Sequence, residues 1–330
     1  MRGIRAALIA AALLAAGCSS SGSSGGGSGG VPKTLAAALH GVHATDDTKV
    51  SVAWGVYGGG NASVFYDALT PILGFGVLHQ PFVLTVGLPP KSVSVLYGSF
   101  DPAAIGAKLQ GLGYTRSDRG AGVTQWLVRD DHQLDPNQKP DELAQAGDTF
   151  NVIRVSKDRV VYGGATADLD AALPARSASL ADDPVVGEIA KCMDQEDSGD
   201  YDSSGGYQIA VGAGSGDTET ICVAAPDDAT AKRYGDAFTK AVTSGTSEVS
   251  LARWSTEFSA PKVESLGGKA HVMRLTVTDV NTSHPHVLPN LLFDTSLLNL
   301  IGEHSAKARP TPGPSSGSSP SDDASSSSSS

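Results

Sequence analysis

Residues 93–128 read VSVLYGSFDPAAIGAKLQGLGYTRSDRGAGVTQWLV, and they carry the clearest structural pattern in the chain. Residues 93–97 predict a β-strand, and Asp101-Pro102 pairs an N-cap residue with the proline favoured at the first position of a helix. Apolar residues then recur at helical spacing, at Ile105, Leu109 and Leu112. Two glycines, Gly111 and Gly113, end the helix, and residues 123–128 resume a strand. Strand, helix and strand in about thirty-five residues predict a β-α-β-type unit.

The second half of the chain repeats this order. Strands are predicted over residues 207–211 and 220–224, and Asp227 begins a helix with Tyr234, Phe238 and either Ala241 or Val242 on one face. We therefore expect an α+β fold, with mixed or antiparallel sheets and flanking helices. A duplication of two similar α+β halves stays a hypothesis here, because the residue identity between the halves is low.

Other elements of the body follow from the same patterns. Helices are predicted over residues 34–39 with Thr34 as the cap, then over 63–73, 166–173, 184–193 with Asp183 as the cap, and 287–301. Strands are predicted over residues 49–57, 251–258 and 269–280, and a hairpin over 150–162. Residues 74–90 are apolar but broken by glycine and proline, and no element is assigned to them.

The N-terminus has the layout of an export signal. Arg2 and Arg5 give a basic start, residues 6–16 are an uninterrupted run of Ala, Leu and Ile, and small residues precede Cys18. This run is too short for a transmembrane helix, which needs about 20 apolar residues. Ala16-Gly17-Cys18 resembles the lipobox of bacterial lipoproteins, with Ala15 where that family most often has leucine.

This resemblance implies that the signal is cut before Cys18 and that Cys18 becomes the acylated N-terminus. The protein would then be anchored in the cell membrane at its extracytoplasmic face. The alternative is a secreted protein cut nearby, with Cys18 left as a thiol. Residues 19–30 contain only Ser and Gly, which is the composition of a flexible tether.

These patterns divide the chain into five parts. We expect a lipoprotein signal peptide (1–17), a lipidated cysteine with its Ser/Gly tether (18–30), two α+β regions (31–192 and 193–304), and a disordered Ser/Pro-rich tail (305–330). The tail has too few apolar residues to offset the entropy of ordering.

The net charge restricts the classes of partner, and the cysteine content bears on the redox compartment. The formal net charge is −11, and loss of Arg2 and Arg5 with the signal makes it −13. This argues against nucleic acid as a partner. With Cys18 assigned to lipid, Cys192 and Cys222 remain as a pair, and an oxidising compartment favours a disulfide between them.

Searches for catalytic, cofactor-binding and metal-binding motifs assign no site. The segment 212–217 has the glycine content of a phosphate loop but neither its spacing nor a following helix, so a hairpin turn is preferred. Ser259 and Lys262 match an S-x-x-K spacing without its partner motifs. Metal ligation by histidines and carboxylates at residues 40–47, or by Asp130, Asp131 and His132, is the alternative to surface histidines, which we prefer for these positions and for His284 and His286.

An acidic run is the last candidate. Its residues partly match a calcium loop, but Gly205 stands where the bidentate glutamate belongs. The members are Asp194, Glu196, Ser198, Gly199, Asp200 and Asp202. A solvated loop inside the disulfide ring is the alternative.

The function expected from these observations is a non-catalytic binding or scaffolding module of the cell envelope, with an envelope protein as a candidate partner. A ligand-binding carrier for uptake and a hydrolase with a dispersed site are the alternatives. A deep pocket with convergent polar groups would favour the alternatives, whereas a flat, exposed apolar surface would favour scaffolding.

Overall fold

The structure is a computed structural model, and it describes residues 30–55, 61–77, 80–174, 178–214, 216–247, 251–280, 288 and 296–303, with the backbone alone described for 61–65. Cys18, the signal, residues 18–29 of the tether, the tail, His284 and His286 lie outside the described residues.

The described strands form one twelve-stranded sheet. In chain order they are β1 (Ser51–Gly55), β2 (Phe82–Val86), β3 (Val93–Tyr97), β4 (Thr115–Asp118), β5 (Thr124–Leu127), β6 (Val152–Val155), β7 (Arg159–Gly163), β8 (Ser198–Asp202), β9 (Ile209–Ala213), β10 (Thr218–Val223), β11 (Phe258–Gly267) and β12 (Val272–Asp279). In the sheet their order is β11-β12-β10-β9-β8-β1-β2-β3-β7-β6-β5-β4. Every neighbouring pair is antiparallel. The expected α+β class with an antiparallel sheet is thus confirmed.

The described helices have 5 to 17 residues, and side-chain caps begin three of them as predicted. They are α1 (Leu35–Leu39), α2 (Asn61–Leu73), α3 (Pro102–Gly111), α4 (Asp141–Gln145), α5 (Thr166–Ala172), α6 (Val186–Cys192), α7 (Asp228–Ser244) and α8 (Ser296–Leu300). The Thr34 hydroxyl accepts a hydrogen bond from the N–H of Ala37 at 3.2 Å. The carboxylates of Asp101 and Asp227 accept from backbone N–H groups of the first turns of α3 and α7.

Helices cover both faces of the sheet. Successive side chains of a strand point to opposite faces, so the face that carries Trp54 and Val161, the front face, differs from the face that carries Val83 and Tyr162, the back face. Helices α1, α5 and α6 pack on the front face. On the back face α2, α3 and α4 cover one end, and α7 and α8 cover the other.

Each half of the sheet has a similar path. A helix (α1 or α6) precedes three antiparallel strands (β1–β3 or β8–β10), and a helix (α3 or α7) follows them. The first half differs in that α2 lies between β1 and β2. The chain then returns to pair with the third strand, through β7 in one half and β12 in the other. The halves meet where β1 pairs with β8.

Several expectations about local structure were wrong. The strand-helix-strand segment does not form a parallel unit, because the chain leaves α3 into the β4–β5 hairpin at the sheet edge, and β3 pairs with β7 instead. Residues 251–258 are mostly not a strand, since Trp254–Thr256 form a 3₁₀ turn. The unassigned segment 74–90 contains β2. The predicted last helix is described only at Leu288 and in α8, which ends before Gly302 with φ +74°.

The predicted disulfide is confirmed. Cys192, the last residue of α6, is bonded to Cys222 in β10, with the Cα atoms 6.2 Å apart. Both residues are fully buried in the front-face core. The bond therefore fixes the C-terminal end of α6 to the sheet.

Candidate functional site

A cavity of about 330 Å³ lies on the front face, beyond the C-terminal end of α5. Its walls come from the β4–β5 turn, from β6, β7 and the turn between them, and from the end of α5. Three arginines converge on it, Arg119, Arg154 and Arg159, and the one carboxylate among the described lining residues is Asp170.

Arg154 forms the floor of the cavity. It stands in β6 between apolar neighbours, opposite Gln125 of β5 and Val161 of β7. Its Nε donates to Oε1 of Gln125 at 2.9 Å, and its Nη2 donates to Oδ1 of Asp170 at 2.6 Å. The residue is 9% exposed. Burial lowers the pKa of the Arg154 guanidinium, which Asp170 partly offsets, but an arginine stays charged at neutral pH.

Asp170 joins two of the arginines. Its Oδ1 accepts hydrogen bonds from Nη2 of Arg119 and Nη2 of Arg154, each at 2.6 Å. Burial works to raise the pKa of Asp170, but the hydrogen bonds and charges of Arg154 and Arg119 outweigh it and hold the pKa below its ordinary value. One carboxylate faces three guanidinium groups, so the described lining keeps an excess of positive charge.

The rest of the cavity wall is largely apolar. Val123 and Val161 line the sheet side, and Leu173 and Pro174 line the side below α5. A hydrated inorganic ion would leave this apolar surface in contact with water. The combination of guanidinium groups with an apolar wall suits an anionic group attached to an apolar body.

His132 lies in a second polar cluster, at the other end of α5. Its Nδ1 is 3.0 Å from Oδ2 of Asp148, and its Nε2 is 3.1 Å from Oδ2 of Asp168. The N–H of Thr166 donates to Oδ1 of Asp131 at 2.8 Å. Burial raises the pKa of Asp168, against the opposing effect of His132. These contacts attach the β5–β6 connection, which includes Asp130, to the start of α5.

The other residues singled out in the sequence are dispersed. Nδ1 of His43 lies 2.9 Å from the carbonyl oxygen of Ala178, whereas His40 is exposed at the end of α1. Residues 212–217 connect β9 to β10 as the preferred hairpin. Ser259 and Lys262 lie in β11, on either side of a bulge, and the Ser259 hydroxyl donates to the carbonyl of Thr278 at 3.2 Å.

The acidic run is not a calcium loop, and only its first part, which includes exposed Asp194, precedes a strand as a turn. Ser198–Asp202 form β8, which pairs with β1 on one side and β9 on the other. Neighbouring side chains of a strand diverge to opposite faces, so these oxygens do not surround one point. Within the described ranges, no three or more His, Cys, Asp or Glu side chains have the arrangement of a metal site.

The arginine cavity was not predicted, although one signal for it was present. Arg154 occupies a strand whose other residues, Val152, Ile153 and Val155, are fully buried. A charged residue at such a position is rare unless it is paired or functional.

Comparison with family models, with curated proteins and with solved structures finds no match. In the part of the chain that the structure describes, no helix is long and apolar enough to cross a membrane.

Proposed function

We propose that this chain is an extracytoplasmic lipoprotein, anchored in the membrane by acylated Cys18, whose body binds a small amphipathic anion in the arginine cavity. The observation that carries the binding role is the convergence of Arg119, Arg154 and Arg159 on one cavity, in a chain with a net charge of −11. In a chain with a net negative charge, the average composition does not explain why three arginines line one cavity. The anchor is supported by the lipobox-like sequence alone.

Charge and shape favour a carboxylate or phosphate group over a neutral ligand. Arginine guanidinium groups bind planar or tetrahedral oxyanions through paired N–H donors. Two of the Arg154 nitrogens are already bonded within the protein, whereas Arg159 makes no hydrogen bond through its side chain to another described residue and is exposed. We assign first contact with the ligand to Arg159 and orientation at the cavity floor to Arg154.

Isothermal titration calorimetry of the mature protein with octanoate tests the binding role. Octanol supplies the apolar body without the charge, and inorganic phosphate supplies the charge without the apolar body. We expect octanoate to bind most tightly and Arg159→Met to weaken it by about tenfold, the value of one charge-assisted hydrogen bond. Arg116→Met is the matched control, because Arg116 lies on neighbouring β4 outside this cavity. Equal binding of octanoate by the Arg159→Met and Arg116→Met proteins would contradict the assignment.

Mass spectrometry of the membrane fraction tests the anchor. A mature N-terminus at Cys18 with diacylglyceryl and fatty-acyl masses is expected. An unmodified Cys18, or an N-terminus elsewhere, would remove the anchor but not the cavity.

We also propose that the two halves of the sheet are copies of one α+β unit. Support comes from the shared order of helix, three antiparallel strands, helix and returning strand, with α2 as an insertion between β1 and β2 in the first half. Superposition of the elements from α1 to β7 on those from α6 to β12 tests this. One rotation should align both helices and all four shared strands, and alignment of the three antiparallel strands alone would argue against duplication.

A further inference from the structure

A second cavity, of about 240 Å³, lies on the back face over β2, β3 and β7. Six of its ten described lining residues carry a hydroxyl group: Tyr66, Thr85, Ser92, Ser94, Thr149 and Tyr162. The other four are apolar or glycine, and none of the ten is charged. We call it the hydroxyl cavity.

The strand register places three of these hydroxyl-bearing residues in one row. Thr85 of β2 is opposite Ser94 of β3, and Ser94 is opposite Tyr162 of β7. Neighbouring strands are about 4.8 Å apart, so the row spans roughly 10 Å. The oxygens of Thr85 and Ser94 are 2.8 Å apart and hydrogen-bonded.

The aromatic part of the wall is held in place by packing. Tyr162 is 4% exposed, and its ring centroid lies 4.7 Å from that of Phe150 and 6.5 Å from that of Phe75. Tyr66 of α2 contributes a second phenol, and burial raises its pKa, so it stays neutral. The cavity is thus formed before a ligand arrives.

Two of the hydroxyl groups have hydrogen-bonding capacity that the described protein does not use. The side chains of Ser92 and Thr149 are partly buried, and neither hydroxyl bonds to another described residue. A hydroxyl group both donates and accepts, so it complements other hydroxyl groups better than it complements a fixed charge.

We propose that the hydroxyl cavity binds a neutral polyhydroxylated ligand the size of a single sugar ring. The volume is below the range of about 300–1,000 Å³ typical of drug-sized ligands. Ring hydroxyl groups match the row of Thr85 and Ser94 together with the hydroxyls of Ser92 and Thr149, while Val77 and Val83 provide apolar surface for ring C–H groups.

This site is independent of the arginine cavity. Val161 faces the arginine cavity and Tyr162 faces the hydroxyl cavity, so adjacent residues of β7 serve opposite faces of the sheet. The two ligand classes differ in charge, and neither proposal depends on the other.

Saturation-transfer NMR with the mature protein tests the proposal, using glucose, galactose, mannose and myo-inositol as probes. Cyclohexanol serves as the apolar comparison and glucuronate as the charged one. At least one neutral probe should bind, more tightly than cyclohexanol and glucuronate. No binding by all four at high millimolar concentration would overturn the proposal, as would tighter binding of either comparison compound.

Variants locate the binding. Ser92→Ala and Thr149→Val remove hydroxyls without an internal bond to a described residue, so we expect folded proteins with affinity for the bound probe lowered about fivefold each, as for one lost hydrogen bond. Thr115→Val is the matched control, because Thr115 is exposed on β4. Unchanged affinity in both variants, or equal losses in the control, would overturn the assignment. Arg159→Met should leave sugar binding unchanged, and a loss there would show that the two cavities are not independent.

Discussion

Asp200 places a carboxylate in the centre of the sheet, and its replacement by asparagine should stabilise the protein at neutral pH. The residue lies on the back face of β8, opposite Ala53 of β1 and Val211 of β9. Burial raises its pKa from the ordinary 3.8 to about 6. Within the described part of the chain, no side chain forms an ion pair or hydrogen bond with it.

The sign and size of the effect follow from linkage. Between about pH 4 and pH 6 the folded state holds a proton that the unfolded state has released, so stability falls as the pH rises through this window. Above this pH window the carboxylate of the folded protein is ionised although it is poorly solvated. A pKa change from 3.8 to about 6 corresponds to about 3 kcal/mol, at roughly 1.4 kcal/mol for each pKa unit. Because Asp200 is only partly buried, we expect Asp200→Asn to gain about 1–3 kcal/mol at pH 7 and close to nothing at pH 4.

Urea unfolding followed by tryptophan fluorescence, at several values from pH 4 to pH 8, measures this difference. Asp194→Asn is the matched control: it makes the same chemical change at an exposed position just before β8, and its effect should stay within about 0.5 kcal/mol at every pH. Destabilisation by Asp200→Asn at pH 7, or a gain that is equal at pH 4 and pH 8, would refute the argument. Destabilisation would mean that the carboxylate has a favourable partner, and a gain independent of pH would mean that it does not come from ionisation of Asp200.

Three further predictions concern stability. Replacing both Cys192 and Cys222 by alanine should lower the free energy of unfolding by about 3–4 kcal/mol, as expected for a closed loop of roughly thirty residues, measured by urea unfolding. Gly199→Ala places a Cβ 2.3 Å from a carbonyl oxygen of β9, so it should lower the free energy of unfolding by about 1–3 kcal/mol, measured by thermal and urea unfolding. Gly205→Ala is the control, because its Cβ meets nothing within 4 Å, and it should leave the stability unchanged. Asp170→Asn should destabilise at pH 7, and the penalty should shrink as the pH falls below the ordinary carboxylate range, because the pKa of Asp170 is lowered and its stabilising contribution is lost as the pH falls through that lowered pKa; a penalty that does not shrink on acidification would contradict this.

Elements that depend on local chemistry were predictable from the sequence. The caps at Thr34, Asp101 and Asp227 begin helices because their side chains accept hydrogen bonds from N–H groups two or three residues ahead. The β6–β7 hairpin was predictable because two β-rich runs flank a short polar turn. Such signals need no knowledge of the rest of the fold.

Strand β8 was not predictable in this way. Its sequence, SGDYD, contains one large aromatic residue, Tyr201, and its glycine and two aspartates are of types depleted in strands. Backbone pairing with β1 on one side and β9 on the other forms the strand despite that composition. The pairing of β3 with β7 was also not predictable, because the two strands lie more than sixty residues apart along the chain. The local sequence pattern does not distinguish a parallel from an antiparallel neighbour either.

The arginine cavity shows the same limit for function. Arg119, Arg154 and Arg159 come from a turn, a strand and the start of the next strand, and only the fold brings them together. No short motif connects them, so motif searches fail. Of the three arginines, only Arg154 was recognisable in the sequence as unusual, because it is a charged residue within an otherwise apolar strand.

Strand β7 shows how one sheet accommodates two chemically different cavities. Arg159 and Val161 face the front and Val160 and Tyr162 face the back, so the two cavities share a strand without sharing a side chain. A helix borders each cavity and contributes a polar side chain to it. On the front, Asp170 of α5 reaches Arg154, and on the back, Tyr66 of α2 lines the hydroxyl cavity. Because side chains alternate along a strand, substitutions at Arg159 and at Tyr162 should therefore alter one cavity without entering the other.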